Sequence, residues 1–412
     1  MNKITKLSCC RICNSKNLKK ILHLKDMPLT DEFVKKKDIG KEFLHDINIY
    51  ICEDCFVVQT QHDVDVDRYY LDYQYSVAHS QKANKFMKKL AKNIKTKYFN
   101  KSSNKSVLEI GSGDGKQLAE FKKLGFKVLG YEPSKKLSEI ANLNNIETIN
   151  DLYTKKSINY FVKKKISFDV ILLTYTFDHL PKPGEFLKMT NKLLNDDSIL
   201  VIEVHDLEKI FKNNEYCLFE HEHSIYLTEK SAKKFLKLHG YQIIDFDLVD
   251  NKDRRANSLI FVAQKTEKNK IKSLPDVKTP KEFNDLKYYL KLSKKIRKGI
   301  SNLDNYIKSK KECGKRVAGY GAGGRGVMTL AALKNSNYLD FLIEKNPKSN
   351  AIFSPGSSLP VVNLDHLKNN SVNEILVFSY GYIDEIKKDL SSYGYNTSQI
   401  KSFIDIMSFK NE

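Results

Sequence analysis

Short apolar runs recur through the middle of the chain at the lengths expected of buried strands. The clearest run, residues 107–110, leads into the closely spaced glycines Gly111, Gly113 and Gly115, and a helical pattern begins near Lys116. Such runs are typical of buried strands, and glycines permit positive φ angles and close backbone approach to a ligand. Further strands are predicted at residues 127–132, 168–174, 198–204, 243–249 and 258–264. The pattern predicts an α/β domain with a ligand-binding loop after its first strand.

A second α/β unit is predicted near the carboxyl terminus. A strand and a glycine loop occupy residues 316–326, a helix follows at 327–334, and another strand lies at 339–344. Residues 265–311 are rich in lysine and helical in pattern, and they separate the two units. A chain of 412 residues is long enough for two or three domains. We predict three: a small metal-binding module over residues 1–75, a Rossmann-like α/β domain over 76–265, and a helical linker with a second Rossmann-like α/β domain over 266–412.

Two cysteine pairs near the amino terminus predict a structural zinc site. Cys10 and Cys13 form one CxxC pair, and Cys52 and Cys55 form the other. Four thiolates suit a tetrahedral zinc ion and leave no open coordination position, so the predicted metal is structural and not catalytic. A disulfide interpretation requires an oxidising compartment, and the sequence shows no apolar signal segment at its start. Cys9 is an alternative to Cys10 as a zinc ligand, but its spacing from Cys13 is not that of a CxxC pair.

The charge of the chain bears on its partners. The formal net charge is +20, but the 70 basic residues are overwhelmingly lysine, whereas arginine is the residue that reads phosphates and bases through its planar fork. The lysines are spread along helical segments, so solvated surfaces are the better interpretation. The sequence contains no apolar run long enough to span a bilayer. We expect a cytoplasmic protein that binds neither nucleic acid nor membrane. Its oligomeric state stays open, and a monomer is compatible with the sequence.

The first glycine loop has the features of a nucleoside cofactor site without a pyrophosphate. Its glycines alternate, whereas GxGxxG places the third glycine one position later, so a dinucleotide is disfavoured. Glu132 ends the next predicted strand about 20 residues after the first glycine, where a carboxylate binds ribose hydroxyls. The loop resembles motif I of class I S-adenosylmethionine-dependent methyltransferases. The resemblance implies that the residues binding S-adenosylmethionine are Glu109, Gly111, Gly113, Gly115 and Glu132.

The second glycine loop has a different spacing. Gly319, Gly321 and Gly324 satisfy GxGxxG, and Glu344 stands where the carboxylate of an NAD site would stand. A lone fingerprint is weak evidence, and one enzyme rarely needs both cofactors. We therefore interpret this loop as a backbone nest for a phosphate of the substrate.

A group of histidines and carboxylates offers acid–base chemistry. Residues 219–223 read Phe-Glu-His-Glu-His, and His179 follows the strand predicted at 168–174, at the end where open α/β sheets bind ligands. If residues 219–223 form a strand, His221 and His223 point to one side and the two glutamates to the other. If these residues form a loop, this alternation is not expected. Metal binding lacks an obvious third ligand, and a polar sheet edge is the simpler alternative. General acid–base chemistry is the sharper interpretation.

Motifs in all three predicted domains, in the same order, resemble the sugar C-methyltransferases that act on nucleotide-linked 4-keto deoxysugars. The resemblance covers nearly the whole chain. It rests on the cysteine pairs with residues 27–29 and 58–59, the first glycine loop with His179 and residues 221–223, and residues 319–322, 344–347 and 354–356.

The resemblance implies a mechanism. A base removes the proton on the carbon beside the sugar ketone, and the enolate attacks the methyl group of S-adenosylmethionine in line. By family position, His223 is the base and Glu222 is its orienting partner. The other catalytic residues that the resemblance implies are His179, His221, and Tyr75 or Tyr73.

The chain departs from the family pattern at several positions. Glu220 stands where the family commonly has a tyrosine, residues 255–260 replace a glycine-rich strand that ends in arginine, and residues 380–381 replace a tryptophan-asparagine pair. These departures leave open another nucleotide, another sugar, or methylation at oxygen by an O-methyltransferase. An RNA methyltransferase and a non-catalytic scaffold are weaker alternatives, because the lysines are dispersed and the first glycine loop retains Glu132.

Overall fold

The amino-terminal part of the chain forms two small sheets. The computed structural model describes residues 3–30, 32–65, 70–71, 80–100, 102, 104–266, 275–347, 349 and 351–408. The first strands are β1 (Ile4–Lys6), β2 (Leu18–Pro28), β3 (Val34–Lys35), β4 (Leu44–Cys52), β5 (Val58–Thr60) and β6 (His62–Val64). β4 lies between β2 and β5 in an antiparallel sheet, and β1 pairs with β6. Alternate side chains of β4 are fully buried (Ile47, Ile49 and Ile51), as the two-residue period of a strand requires.

The middle of the chain forms the predicted α/β sheet. Its strands are β7 (Ser106–Ile110), β8 (Lys127–Tyr131), β9 (Thr148–Ile149), β10 (Phe168–Thr174) and β11 (Leu194–His205), and, after β12 (Ile225–Tyr226), β13 (Tyr241–Asp245) and β14 (Ser258–Lys265). The strand order is β13-β14-β11-β10-β7-β8-β9. β7 to β11 run parallel, and β13 and β14 form the predicted antiparallel pair. The order reverses between β7 and β10, and ligands bind at the carboxyl ends of strands at such a point.

Helices cover both faces of this sheet. They are α1 (Gln81–Tyr98), α2 (Lys116–Lys123), α3 (Lys135–Leu143), α4 (Lys155–Lys163), α5 (Pro183–Thr190), α6 (Leu207–Lys212) and α7 (Glu229–Leu238). α1 begins at Ser80, whose hydroxyl accepts a hydrogen bond from the Ala83 amide, and it buries Phe86, Leu90 and Ile94 at helical spacing. α2 begins at the predicted residue, directly after the glycine loop.

The carboxyl-terminal part is a second α/β unit. The elements are α8 (Leu286–Glu312), β15 (Val317–Tyr320), α9 (Gly324–Ala331), β16 (Leu342–Ile343), β17 (Ile352–Phe353), β18 (Pro360–Val362), β19 (Glu374–Val377), α10 (Ile383–Ser391), β20 (Ile400–Ser402) and α11 (Phe403–Ser408). The strand order is β20-β19-β15-β16-β18-β17-β3. Helix α9 begins three residues before the predicted start, within the glycine loop, and the predicted strand at 339–344 is confined to β16.

Two short strands tie the three parts together. β12, from the middle of the chain, pairs with β5 of the amino-terminal sheet, and β3 pairs with β17 of the carboxyl-terminal sheet. One apolar cluster includes residues from all three parts, among them Ile49, Phe219 and Leu376. The predicted α/β fold class is confirmed, and the predicted boundaries after residues 75 and 265 stay predictions.

Candidate functional site

The four predicted cysteines form one cluster. Cys10 and Cys13 lie on a turn before β2, and Cys52 and Cys55 lie where β4 turns into β5. The Sγ atoms of Cys10 and Cys55 are 3.6 Å apart, those of Cys13 and Cys52 are 3.5 Å apart, and all four lie within 4.8 Å of one another. A zinc–sulfur bond of about 2.3 Å in a tetrahedron places sulfur atoms about 3.8 Å apart. The thiols are free, and Cys9 stands outside the group, so the predicted ligand set fits zinc.

The first glycine loop lies at the carboxyl end of β7. Gly111, Gly113 and Gly115 have φ angles of 71°, 54° and 77°, in the left-handed region that favours glycine. At Gly111 a Cβ atom would lie 2.4 Å from the Thr176 hydroxyl, so the tight approach of the loop to the residues after β10 requires glycine there.

Two buried carboxylates flank this loop. Glu132 Oε2 accepts a hydrogen bond of 2.8 Å from the Gly113 amide, and burial raises the pKa of its carboxyl group. Burial also raises the pKa of Glu109 to about 8. Glu109 Oε1 accepts a hydrogen bond from Thr174, whereas Oε2 has no hydrogen-bond partner among the described residues. A buried unsatisfied acceptor and a carboxylate at the end of β8 suit a cofactor with cationic and hydroxyl groups, and S-adenosylmethionine fits this loop.

Three histidines and an aspartate meet at the carboxyl ends of β10 and β11. His179 follows β10, His205 ends β11, and His223 lies on the loop before β12. The ring centroid of His223 is 4.7 Å from that of His179 and 4.7 Å from that of His205. Asp178 Oδ2 accepts a hydrogen bond of 2.8 Å from His205 Nδ1. We call Asp178, His179, His205 and His223 the histidine cluster.

Hydrogen bonds set the proton positions in the histidine cluster. His223 Nδ1 lies 2.8 Å from the carbonyl oxygen of Leu218, which can only accept, so the neutral ring carries its proton on Nδ1 and Nε2 is a free acceptor. Burial lowers the pKa of His179 to about 3 and that of His205 to about 4. Burial alone would raise the pKa of Asp178, but the hydrogen bond from His205 outweighs it and holds that pKa below its ordinary range. A carboxylate therefore faces neutral imidazoles near pH 7.

His221 and Glu222 of the predicted run make their hydrogen bonds outside the histidine cluster, whereas Glu220 Oε2 lies 3.8 Å from His223 Nε2. Residues 219–224 form a turn and not a strand, so the two histidines do not share a side. His221 bonds to His62 and to the Met27 carbonyl. Glu222 Oε1 accepts a hydrogen bond of 3.1 Å from the Thr30 hydroxyl. The backbone carbonyl of Leu218 contacts His223 Nδ1, and the role of Glu222 as the partner that orients His223 stays a prediction.

Three tyrosines bear on the predicted substrate contacts. Tyr75 and Tyr73 lie outside the described residues, so their roles stay predictions. Tyr70 is described, and its hydroxyl lies 2.9 Å from His179 Nδ1. Sequence reasoning missed Tyr70 together with Asp178 and His205. The latter two could have been found from their positions at the carboxyl ends of neighbouring predicted strands.

The second glycine loop packs against the loop that carries His223. A Cβ atom at Gly324 would lie 3.1 Å from Glu220 Oε1, and Arg325 Nε lies 4.0 Å from Glu215 Oε1. Glu344 Oε2 accepts a hydrogen bond of 3.1 Å from the Ala322 amide, within its own glycine loop. The nest for a substrate phosphate stays a prediction.

Acid is expected to destabilise the protein through His62 and His221. Burial lowers their pKa values to about 4 and about 3, and a histidine of an unfolded chain titrates near 6.5. Below pH 6.5 the unfolded chain therefore binds protons that the folded chain excludes, so stability present above pH 6.5 is lost as pH falls. We expect the thermal unfolding midpoint to decrease from pH 7 to pH 5, and less steeply in His62→Gln, which retains a donor for His221.

Differential scanning calorimetry at both pH values measures this effect. His23→Gln is the matched control, because His23 is exposed on β2. An equally steep decrease in wild type and His62→Gln would show that His62 does not contribute.

Among the described residues, no helix has the length and apolar character needed to cross a membrane.

Three family models match successive parts of the chain. They are "Putative zinc binding domain" over residues 10–70, "Methyltransferase domain" over 58–245, and "C-methyltransferase C-terminal domain" over 258–404. The predicted order of a zinc module, a methyltransferase domain and a carboxyl-terminal domain is thereby confirmed.

Curated relatives agree with these models. "C-methyltransferase NovU" of Streptomyces niveus is 23% identical over 383 residues, which cover 92% of this chain and 90% of that protein. An "Uncharacterized methyltransferase" of Alkaliphilus oremlandii is 32% identical over 128 residues, covering 28% of this chain and 56% of that protein. The solved plantazolicin methyltransferase BpumL in complex with SAH is 18% identical, covers 46% of this chain and 86% of its own, and has a TM-score of 0.37. S-adenosylmethionine and structural zinc are the cofactors, as predicted.

Proposed function

We propose that the chain is an S-adenosylmethionine-dependent C-methyltransferase with an amino-terminal zinc module, and that it methylates a ring carbon beside the ketone of a nucleotide-linked 4-keto deoxysugar. A carbon beside a ketone is acidic enough to lose its proton to a histidine, whereas an isolated ring carbon is not. If a histidine is the base, the carbon that is methylated therefore has to lie beside a ketone.

The free Nε2 atom of His223 is the observation that carries the proposal. The Leu218 carbonyl holds the proton of the neutral ring on Nδ1, so Nε2 can accept a proton. His223 is 3% exposed, and its ring contacts that of His179, which follows β10, the strand that pairs with β7 of the first glycine loop. In our proposal, Nε2 removes the proton from the carbon beside the ketone, and the electron pair of the broken C–H bond passes into the enolate.

His179 is proposed to stabilise the enolate oxygen. When the Tyr70 hydroxyl donates to His179 Nδ1, the neutral ring carries its proton on Nε2 and can donate it. The low pKa that burial imposes keeps His179 neutral at pH 7, so it serves as a hydrogen-bond donor and not as a competing cation.

The first glycine loop and Glu132 are proposed to hold the cofactor. When bound, S-adenosylmethionine supplies an electrophilic methyl group. The backbone at Gly111 and Gly113 allows close approach, and the Glu132 carboxylate offers acceptors for ribose hydroxyls.

Glu132→Ala is expected to weaken the binding of S-adenosylhomocysteine by roughly 10- to 100-fold, because hydrogen bonds to a charged group contribute about 1.5–3 kcal/mol. Isothermal titration calorimetry measures the affinity. Glu147→Ala is the matched control, since Glu147 is exposed near β9. Unchanged affinity in Glu132→Ala would remove Glu132 from the cofactor site.

The substrate class is tested by incubation with methyl-labelled S-adenosylmethionine and a panel of acceptors. The panel contains nucleotide-linked 4-keto deoxysugars, their 4-hydroxy counterparts, the free sugars and RNA. We expect mass spectrometry to detect methyl gain only in nucleotide-linked keto sugars. Methylation of the 4-hydroxy compounds would support an O-methyltransferase, and methylation of RNA would refute the proposed substrate.

A further inference from the structure

Asp178 and His205 form a buried pair that neither the zinc site nor the cofactor loop requires. Asp178 is 2% exposed, and its Oδ2 atom accepts hydrogen bonds from both the ring Nδ1 and the backbone amide of His205, at 2.8 Å and 3.3 Å. Its Oδ1 atom is buried and has no hydrogen-bond partner among the described residues. Burying a carboxylate with one oxygen lacking a hydrogen bond costs folding free energy. Packing alone therefore does not explain this pair.

The Asp178–His205 pair lies beside His223. The centroid of the His205 ring is 4.5 Å from that of Tyr175 and 4.7 Å from that of His223. A carboxylate oxygen of Asp178, a ring nitrogen of His205 and a ring nitrogen of His223 all lie within 4.8 Å of one another. Because Nδ1 of His205 donates to Asp178, the neutral ring keeps Nε2 as an unprotonated acceptor within the histidine cluster.

We propose that Asp178 and His205 are positioning residues that stabilise the protonated form of His223 during the methyl-transfer reaction. This inference rests on the proposed role of His223 as the base. Asp178 supplies a fixed negative charge, and His205 transmits it while its own tautomer is held by the carboxylate. In the Ser-His-Asp triad an aspartate orients the histidine that it bonds and stabilises the imidazolium that forms there, and here the same effect would reach His223 through His205.

The charge balance of the cluster supports this role. The groups facing His223 are the neutral rings of His179 and His205, the Asp178 carboxylate, Tyr226 at a centroid distance of 6.2 Å, and Glu220, whose Oε2 atom lies 3.8 Å from His223 Nε2. Protonation of His223 converts an anionic cluster into a more nearly neutral one. Loss of the Asp178 charge should therefore make His223 a weaker base.

The proton transfer is balanced within the cluster. The C–H bond beside the ketone breaks, its electron pair becomes the enolate, and the proton forms an N–H bond on His223. Asp178 stays ionised throughout. After methyl transfer, His223 releases the proton to solvent.

The test compares wild type with Asp178→Asn, which keeps an oxygen acceptor for His205 but removes the charge. Asp196→Asn is the matched control, since Asp196 is exposed on β11. Nitrogen-15 NMR of histidine side chains in the full, zinc-loaded chain without substrate reports tautomers and pKa values. The pH profile of kcat/KM for a methylated acceptor reports the base.

In wild type we expect His205 to carry its proton on Nδ1. In Asp178→Asn we expect the pKa of His223 to fall by roughly one unit or more, and the acidic limb of the kcat/KM profile to move by the same amount. A purely structural role would leave both unmoved. If no acceptor is methylated, the proposed function fails, but the NMR titration still tests the pair.

Three results would overturn the inference. One is a wild-type spectrum with the His205 proton on Nε2, which needs no variant. Another is an unchanged pKa of His223 in Asp178→Asn. The third is a second metal equivalent in the wild-type protein that Asp178→Asn loses, since Asp178, His205 and His223 would then be metal ligands and not an acid–base unit.

Discussion

His223→Ala is expected to lower kcat/KM for C-methylation by roughly 10²- to 10⁴-fold, the range that a positioned general base contributes. Alanine removes the Nε2 acceptor, and His179 cannot replace it, because its neutral ring carries its proton on Nε2 when the Tyr70 hydroxyl donates to Nδ1. Binding of S-adenosylhomocysteine should stay nearly intact, because no hydrogen bond among the described residues joins the first glycine loop or Glu132 to the ring of His223. Steady-state kinetics and calorimetry measure the two effects separately.

His23→Ala is the control for His223→Ala, because His23 lies on β2 with an exposed side chain that contacts Asp46. We expect it to retain wild-type kcat/KM. Wild-type turnover in His223→Ala would assign the base to another group, and equal loss in both variants would point to an unfolded protein.

Loss of one zinc ligand is expected to have the largest effect on stability. Structural zinc contributes an apparent binding free energy of about 10–16 kcal/mol in small zinc modules, which is as large as the whole stability of a typical domain, about 5–15 kcal/mol. Cys52→Ser should therefore lose its zinc and unfold the amino-terminal sheet. Metal analysis by plasma mass spectrometry and thermal unfolding monitored by circular dichroism measure both. Cys313→Ser, at an exposed cysteine, should keep one zinc per chain.

Zinc loss should also abolish methyl transfer, although the zinc ion takes no part in the chemical step. Strand β5 follows Cys52 and Cys55 in the sequence. It forms an antiparallel ladder with β12, which begins two residues after His223. The Thr60 hydroxyl donates a hydrogen bond of 2.8 Å to the His223 carbonyl, and the Thr60 amide donates to the Ser224 carbonyl at 3.2 Å. The zinc module therefore holds the backbone of the proposed base. Full activity in zinc-free Cys52→Ser would contradict this coupling.

The sequence was most informative where local chemistry determines local structure. The run at residues 107–110 predicts β7, the glycines predict its positive-φ loop, and two CxxC pairs predict the cysteine cluster. Each signal depends on residues that are close in sequence. These features are confirmed.

The remaining features depend on contacts between distant residues. The direction of His221 depends on His62, 159 residues earlier, and that of Glu222 depends on Thr30, 192 residues earlier. No local period encodes these partners, and residues 219–224 form a turn without the alternation of a strand. The joining of β3 to the carboxyl-terminal sheet is equally nonlocal, as is the hydrogen bond between Asp178, which follows β10, and His205, which ends β11.

The most direct measurement locates the transferred methyl group in the product. The protein is incubated with ¹³C-methyl S-adenosylmethionine and a nucleotide-linked 4-keto deoxysugar, and heteronuclear NMR traces the bond that the labelled carbon makes. We expect the label on the ring carbon beside the ketone, with the proton of that carbon lost. Label on a hydroxyl oxygen, or on a carbon remote from the ketone, would contradict enolate chemistry at His223.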